Sequence, residues 1–305
     1  MKRSFSLMLI CTMLSSLFFL LCGCTDTDKN DDGKLKIVAT LFPQYDFVKE
    51  IAGEYASVSL LLPSGVESHS YEPTPQDIIG ISEADIFLYT GEYMEAWAHD
   101  IIEGIDSDVM VIDVSKGISL DTLETHDEHP HFDPHIWTDP ELAITMVQNI
   151  ADALCSADSD NASVYIENAD TYCAKLSKLD SDMKEMLSCA KQDTVCFGDR
   201  FAMHYFAKHY GLNYISAYDS CSEETEPSAK AIAQIIDTIK EKGITAVFHG
   251  ELTKPTVAQA IANDTGAQLL LLHSCHNVSK EEFESGASYL SLMYQNLENL
   301  REGLK

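Results

Sequence analysis

Between Ala162 and Ala190 the chain contains neither proline nor glycine, and its apolar residues fall at Tyr165, Ala169, Tyr172, Leu176, Leu179, Met183 and Leu187. Steps of three and four residues are the period of one amphipathic helix. At ~1.5 Å per residue it extends about 40 Å, so whatever flanks it is organised around a stiff rod. Pro140 to Ala157 reads as a second helix, with Asp139 as N-cap and Pro140 in the first turn. On either side, short β-rich runs alternate with helical patterns, the mark of parallel α/β architecture. The first set is Lys36–Leu41, Ser57–Leu62, Asp85–Thr90 and Val109–Val114; the second is Thr194–Gly198, Asn213–Ala217, Thr245–His249 and Gln268–Leu272. The expected fold is α/β, with two lobes each built on a four-stranded, mostly parallel sheet flanked by helices. Residues 35–139 and 193–305 form the lobes, and residues 140–192 join them through the long rigid helix.

The first residues read as an export signal over positions 1–24. Lys2 and Arg3 precede a nearly all-apolar run from Phe5 to Leu21, then Leu21-Cys22-Gly23-Cys24. The run falls short of the ~20 residues a spanning helix needs, which favours a cleaved signal over an uncleaved anchor. Leu-x-Gly-Cys resembles a bacterial lipobox, with Cys24 as the lipidated residue. Residues 25–34 (TDTDKNDDGK) are polar and aperiodic and read as a flexible stalk. These features place the bulk of the chain outside the cytoplasm. The formal charge of −29 argues against nucleic acid or anionic lipid as a partner.

Nine cysteines are present, without the close CxxC spacing of a thiolate zinc site. In an oxidising compartment Cys221 and Cys275 are the favoured disulfide, which would clamp the loop between them and the neighbouring His276. A cysteine ligand is the competing reading.

In an open parallel sheet, ligands bind beyond the carboxyl ends of the strands. His69 follows the second strand run, His135 the fourth, Asp199 the fifth and His276 the eighth. If the lobes face each other, two donors from each converge in the cleft. Imidazoles with a carboxylate suit zinc, while manganese prefers oxygen. Thr74 and Pro75 look like a helix start that pins the His69 loop. Asp133 is placed to accept a ring N–H from His135 and set its tautomer. Glu251 and His273 are further candidates for the site. His126, His129 and His131 form a His-rich tract that reads either as a weak prebinding loop or as a plain solvated one.

Taken together, LFPQYDFVKEIAG, PSGVESHSYEPTPQD, the His-rich loop before DPHIWTDP, YFAKHYGL, EPSAKAIAQIIDTIKEKGITAVF and YLSLMYQNLENLREGL resemble the zinc- and manganese-binding lipoproteins of ABC importers, the cluster A-I family. The resemblance spans nearly the whole mature chain. It implies two α/β lobes on a rigid helix, one metal held between them by a residue from each of four loops, and a permease as partner, with the protein itself a monomer. His69 and His135 match the first two ligand positions and His276 the fourth. The third position is Arg200, which stays protonated and has no lone pair to offer a metal. Asp199 beside it, or His204, could substitute; alternatively Arg200 pairs with Asp199 or Glu251 and the metal takes fewer protein ligands plus water.

The expected function is capture of a divalent metal, zinc ahead of manganese, for a membrane importer. Two other classes compete. A surface adhesin would tolerate replacement of the histidines. A zinc hydrolase could use Glu67, Glu72 or Asp133 as base, but the chain has no HExxH, GxSxG or glycine-rich phosphate loop.

Overall fold

The computed structural model describes residues 33–305 except 106–107, 124–130, 219–226 and 253. The export signal, Cys24, most of the stalk, His126, His129 and Cys221 lie outside the described residues. No described helix is long and apolar enough to cross a membrane.

The N-terminal lobe runs β1 (Leu35–Ala39), α1 (Phe42–Ala52), β2 (Ala56–Leu60), α2 (Pro75–Ser82), β3 (Ile86–Tyr89), α3 (Ala98–Gly104) and β4 (Met110–Asp113). Its strands pair in parallel in the order β2-β1-β3-β4. A two-residue antiparallel pair, β5 (Thr122–Leu123) with β6 (His131–Phe132), follows. Helices α4 (Pro140–Ala157) and α5 (Ala162–Ser188) form the connection. The C-terminal lobe runs β7 (Thr194–Arg200), α6 (His204–Tyr210), β8 (Asn213–Tyr218), α7 (Ala229–Lys242), β9 (Ala246–His249), α8 (Thr256–Thr265) and β10 (Gln268–Leu271), closed by α9 (Lys280–Ser285) and α10 (Tyr289–Gly303). Its sheet is parallel in the order β10-β9-β7-β8.

Both sheets are buried on both faces, as parallel sheets require. Strand alternation divides the side chains between two environments. In β1 and β3, Ile37, Ala39, Ile86 and Leu88 face a central core, while Val38 and Phe87 pack outward with Ile81 of α2. In β7 and β9, Val195, Phe197, Ala246 and Phe248 face the same central core, while Cys196 and Val247 pack with Ile235 and Ile261 of α7 and α8. Gly198 permits the close seat of α8, since a Cβ there would lie 2.4 Å from Cα of Ala258.

That central core is continuous between the lobes. Tyr172, Leu176, Leu179 and Met183 from one stripe of α5 join Phe47 of α1, Met146 and Ile150 of α4, and Leu297 and Leu300 of α10. The helix ends carry the signals read from sequence: Asp139 accepts the Glu141 N–H at 2.8 Å, and Thr74 and Asp77 form a reciprocal capping box at the start of α2. Asp46 of α1 accepts the backbone N–H of Tyr289 at 2.9 Å, so a carboxylate of one lobe caps the first turn of α10. Burial pushes its pKa up to about 6, against the pull of that hydrogen bond.

Candidate metal centre

Three segments meet where the carboxyl ends of the two sheets face each other. His69 lies on the loop between β2 and α2. His135 lies just before the single 3-10 turn Ile136–Thr138 that leads into α4. His276 lies on the loop after β10. Hydrogen bonds across the lobes hold them. Asn277 donates both amide hydrogens to the first loop, to Pro63 O at 2.8 Å and Val66 O at 2.9 Å. Gly65 N–H donates to Val278 O at 2.8 Å. The Trp137 indole donates to Ser274 O at 2.8 Å, and the Tyr289 hydroxyl donates to Trp137 O at 2.5 Å.

Nε2 of His69 lies 3.1 Å from Nε2 of His135. Two imidazoles on adjacent corners of a tetrahedral zinc, with bonds of ~2.0–2.1 Å, would stand about 3.3 Å apart. Nδ1 of His135 lies 2.8 Å from Asp133 Oδ1, which also accepts the His135 backbone N–H. The carboxylate thereby accepts a hydrogen bond from Nδ1–H, which leaves the Nε2 lone pair toward His69. Burial would raise the Asp133 pKa, but its bonds to His135 hold it below the ordinary value. His69 titrates at about 4, because burial and the neighbouring His135 both disfavour its charged form.

His276 is arranged in the same way. Its Nδ1 is 2.9 Å from Glu251 Oε1 and 2.7 Å from the Ser274 hydroxyl. Glu251 in turn accepts Ser274 N–H at 2.9 Å and Ser274 Oγ–H at 2.5 Å. Nε2 of His276 is buried with no hydrogen-bond partner. The nearest carboxylate oxygen to it is Oε2 of Glu67, at 3.9 Å. Burial lowers the His276 pKa, but the bond to Glu251 and its charge outweigh this and hold it above the ordinary value.

The other expected positions are placed differently. His273 does not join the cluster. It is fully buried, its Nδ1 accepts the Cys275 N–H at 2.9 Å, and its Nε2 turns toward Glu282 at 3.7 Å. Glu251 supports His276 at Nδ1, the nitrogen that faces away from the cleft pair. Asp199 sits at the end of β7, where the register with β8 shifts; it accepts the Arg200 N–H at 3.1 Å and lies beside Gly250. Arg200 stacks over Tyr218, 6.0 Å from the ring centre. His204 pairs with Asp121 at 3.1 Å. His131 lies in β6, half-buried. Cys275 is a buried free thiol with Sγ 3.7 Å from His273 O, so the expected bridge to Cys221 is not made at Cys275. At φ 64° its backbone turns the thiol into the shared core.

Among the described residues, one group of three potential donors lies mutually within 4.8 Å: Glu141, Asp180 and His209. It is an ion-pair network. Both His209 nitrogens are engaged, by Asp139 at 3.1 Å and Asp180 at 2.7 Å, and Lys184 already lies 2.8 Å from Asp180. The cleft donors stand instead as two pairs, His69 with His135 and His276 with Glu67.

A profile of the family described as "zinc-uptake complex component A periplasmic" (ZnuA) matches residues 37–303. The chain belongs to the ZnuA family. It is 34% identical over 308 residues to the high-affinity zinc uptake system protein ZnuA of Bacillus subtilis, covering 96% of each. It is 34% identical over 290 residues to the zinc-binding protein AdcA of Streptococcus pyogenes, covering 88% of this chain and 56% of that one. The chain thus spans little more than half the length of its AdcA relatives. Among solved structures it superposes on the laminin-binding protein Lmb of Streptococcus agalactiae, described as bifunctional with adhesin and metal transporting activity. The TM-score is 0.79 at 30% identity, over 89% of this chain and 100% of the other. This ZnuA-family chain places Arg200 over Tyr218, at the position where the resemblance expects a third donor.

Proposed function

We propose that this protein is the extracytoplasmic, lipid-anchored metal-binding component of an ABC importer, and that it captures zinc between its lobes for delivery to a permease. The observation that carries this reading is the convergence of His69, His135 and His276 from both lobes. In His135 and His276 a carboxylate holds Nδ1, so that Nε2 faces the cleft. A neutral imidazole oriented in this way is a metal ligand in waiting. A donor set dominated by nitrogen favours zinc over manganese. Asp133 and Glu251 are outer partners that raise ligand basicity and fix the tautomers. The names of the ZnuA and AdcA relatives support the same cargo, and relatives named zinc-binding lipoprotein support an anchor at Cys24. The N-terminal lipid is the sole membrane attachment in this reading, and catalysis plays no part.

The test is zinc stoichiometry and affinity by competition titration, with H69A and H135A beside the wild type. One tightly bound zinc per chain, lost in both variants, is the expected result. Binding that survives both changes overturns the cleft assignment. The likeness to Lmb favours one further reading, adhesion to an extracellular protein by the same fold. Adhesion that persists in the zinc-free variants would separate that activity from the cleft.

A further inference from the structure

The cleft has three imidazoles, but its expected third donor position is an arginine. A guanidinium cannot coordinate a cation, and Arg200 lies over the Tyr218 ring at the edge of β8. A closed zinc site takes four donors. The fourth is then either a solvent molecule or another part of the cleft wall.

Glu67 meets the requirements. It sits two residues before His69 on the loop that Asn277 fastens from the opposite lobe. Its Oε1 faces back along its own loop, accepting the His69 N–H at 3.3 Å and lying 3.4 Å from Ser68 Oγ. Its other oxygen, Oε2, faces across the cleft to Nε2 of His276 at 3.9 Å. That nitrogen is one of four buried side-chain polar atoms without a hydrogen-bond partner among the described residues. An orphaned imidazole nitrogen opposite a carboxylate oxygen, too far apart to bond each other, is a gap that a cation can fill with favourable contacts on both sides. His69, of the other pair, shares its loop with Glu67. One anchored segment would then supply two donors, which lowers the ordering entropy that binding must overcome.

We propose that Glu67 is a metal ligand in this protein and completes a His69–His135–His276–Glu67 donor set in place of the residue replaced by Arg200. This rests on the cleft being the metal site. Bonds of ~2.0–2.2 Å require the two donor pairs to draw together around the ion, a movement of the Glu67–His69 loop rather than of a lobe.

The experiment uses the full chain in detergent, titrated with zinc and separately with cobalt(II), in wild type, E67Q, E67A, E251Q and H69A. Glu67 is 44% exposed, so its replacement leaves the fold intact. Loss of an outer partner costs roughly 10–100-fold in metal affinity, and E251Q sets that scale. The proposal expects E67Q and E67A to exceed the E251Q loss, and the intensity of the cobalt visible bands to change as a carboxylate oxygen leaves. If E67Q and E67A stay within a few-fold of wild type with an unchanged cobalt spectrum while H69A abolishes binding, Glu67 is not a ligand and the cleft reading stands. If H69A binds as well as wild type, the cleft reading falls and the Glu67 assignment falls with it.

Discussion

Asn277 is a completely buried side chain whose amide donates to Pro63 O and Val66 O, and so fastens the Glu67–His69 loop to the opposite lobe. Its Oδ1 also accepts the buried Val278 N–H at 2.8 Å, so replacement by alanine removes three hydrogen bonds and leaves that N–H without its acceptor. The two lost loop bonds are worth ~0.5–1.5 kcal/mol each and the stranded buried N–H costs ~1–3 kcal/mol, so N277A is expected to lose about 2–6 kcal/mol of stability. That is a large fraction of the ~5–15 kcal/mol by which domains are stable. The loop is also released in the metal-free state, and binding must then order it. If ~1.4–2.8 kcal/mol of that cost appears in binding, zinc affinity falls about 10–100-fold. Asn149 supplies the control. Its amide likewise donates to two carbonyls, Val114 O and Lys116 O, both at 2.9 Å, away from the cleft. N149A is expected to lower stability while leaving zinc affinity unchanged. The assays are chemical denaturation of the metal-free protein, read at constant slope, and competition titration with zinc. N277A with affinity within threefold of wild type would refute the argument, because it would mean that something other than the amide holds the loop. Equal affinity losses in N277A and N149A would refute it too, by tracing the effect to general stability.

Zinc affinity should fall with acidification from the His276 end. Protons and metal compete for Nε2, and because Glu251 holds the His276 pKa above the ordinary 6.5, the decline begins above that value, whereas His69 stays neutral to about 4. A profile that is flat from about pH 8 to about pH 5 would contradict imidazole ligation. Glu95 is buried beside Thr40 and Thr90, and burial pushes its pKa up to about 8 despite those hydrogen bonds. The folded chain thus keeps a proton that the unfolded chain releases near 4.5. That contribution is present at acid pH and is lost as pH rises toward about 8. E95Q, which mimics the protonated acid, is expected to gain on wild type by a few kcal/mol at about pH 8 in thermal denaturation; a variant less stable than wild type there would show that Glu95 is ionised. G198A places a Cβ 2.4 Å from the Ala258 backbone. Overpacking of this kind costs ~1–3 kcal/mol, and unchanged denaturation would mean that α8 shifts freely.

The strands were legible because alternating apolar residues buried on both faces produce dense β-rich runs. β1, β3 and β9 begin and end within two residues of the sequence reading. The α4 start was equally plain, since Asp139 and Pro140 act through local geometry. What escaped sequence reasoning depended on backbone turns or on partners far along the chain. His273 and His276 lie three residues apart, and only the left-handed backbone at Cys275 sends the first into the interior and the second to the cleft. A non-glycine residue there gives no sequence signal of that turn. Glu251 read as a possible ligand because a strand-end acid can reach a cleft. The contacts with Ser274 and Nδ1 that make it a partner of His276 arise between loops 23 residues apart. Pairs β5 and β6 are too short to carry a pattern.

The apolar core that runs from Phe47 through Leu176 to Phe206 and Tyr289 has no seam between the lobes. Prising the halves apart by even ~200 Å² of apolar surface costs about 5 kcal/mol, comparable with the stability of the whole fold. The two halves therefore do not gape apart on their own. Under the proposed function, uptake is then a local event at the rim, and discharge requires a partner that draws one loop away from the ion.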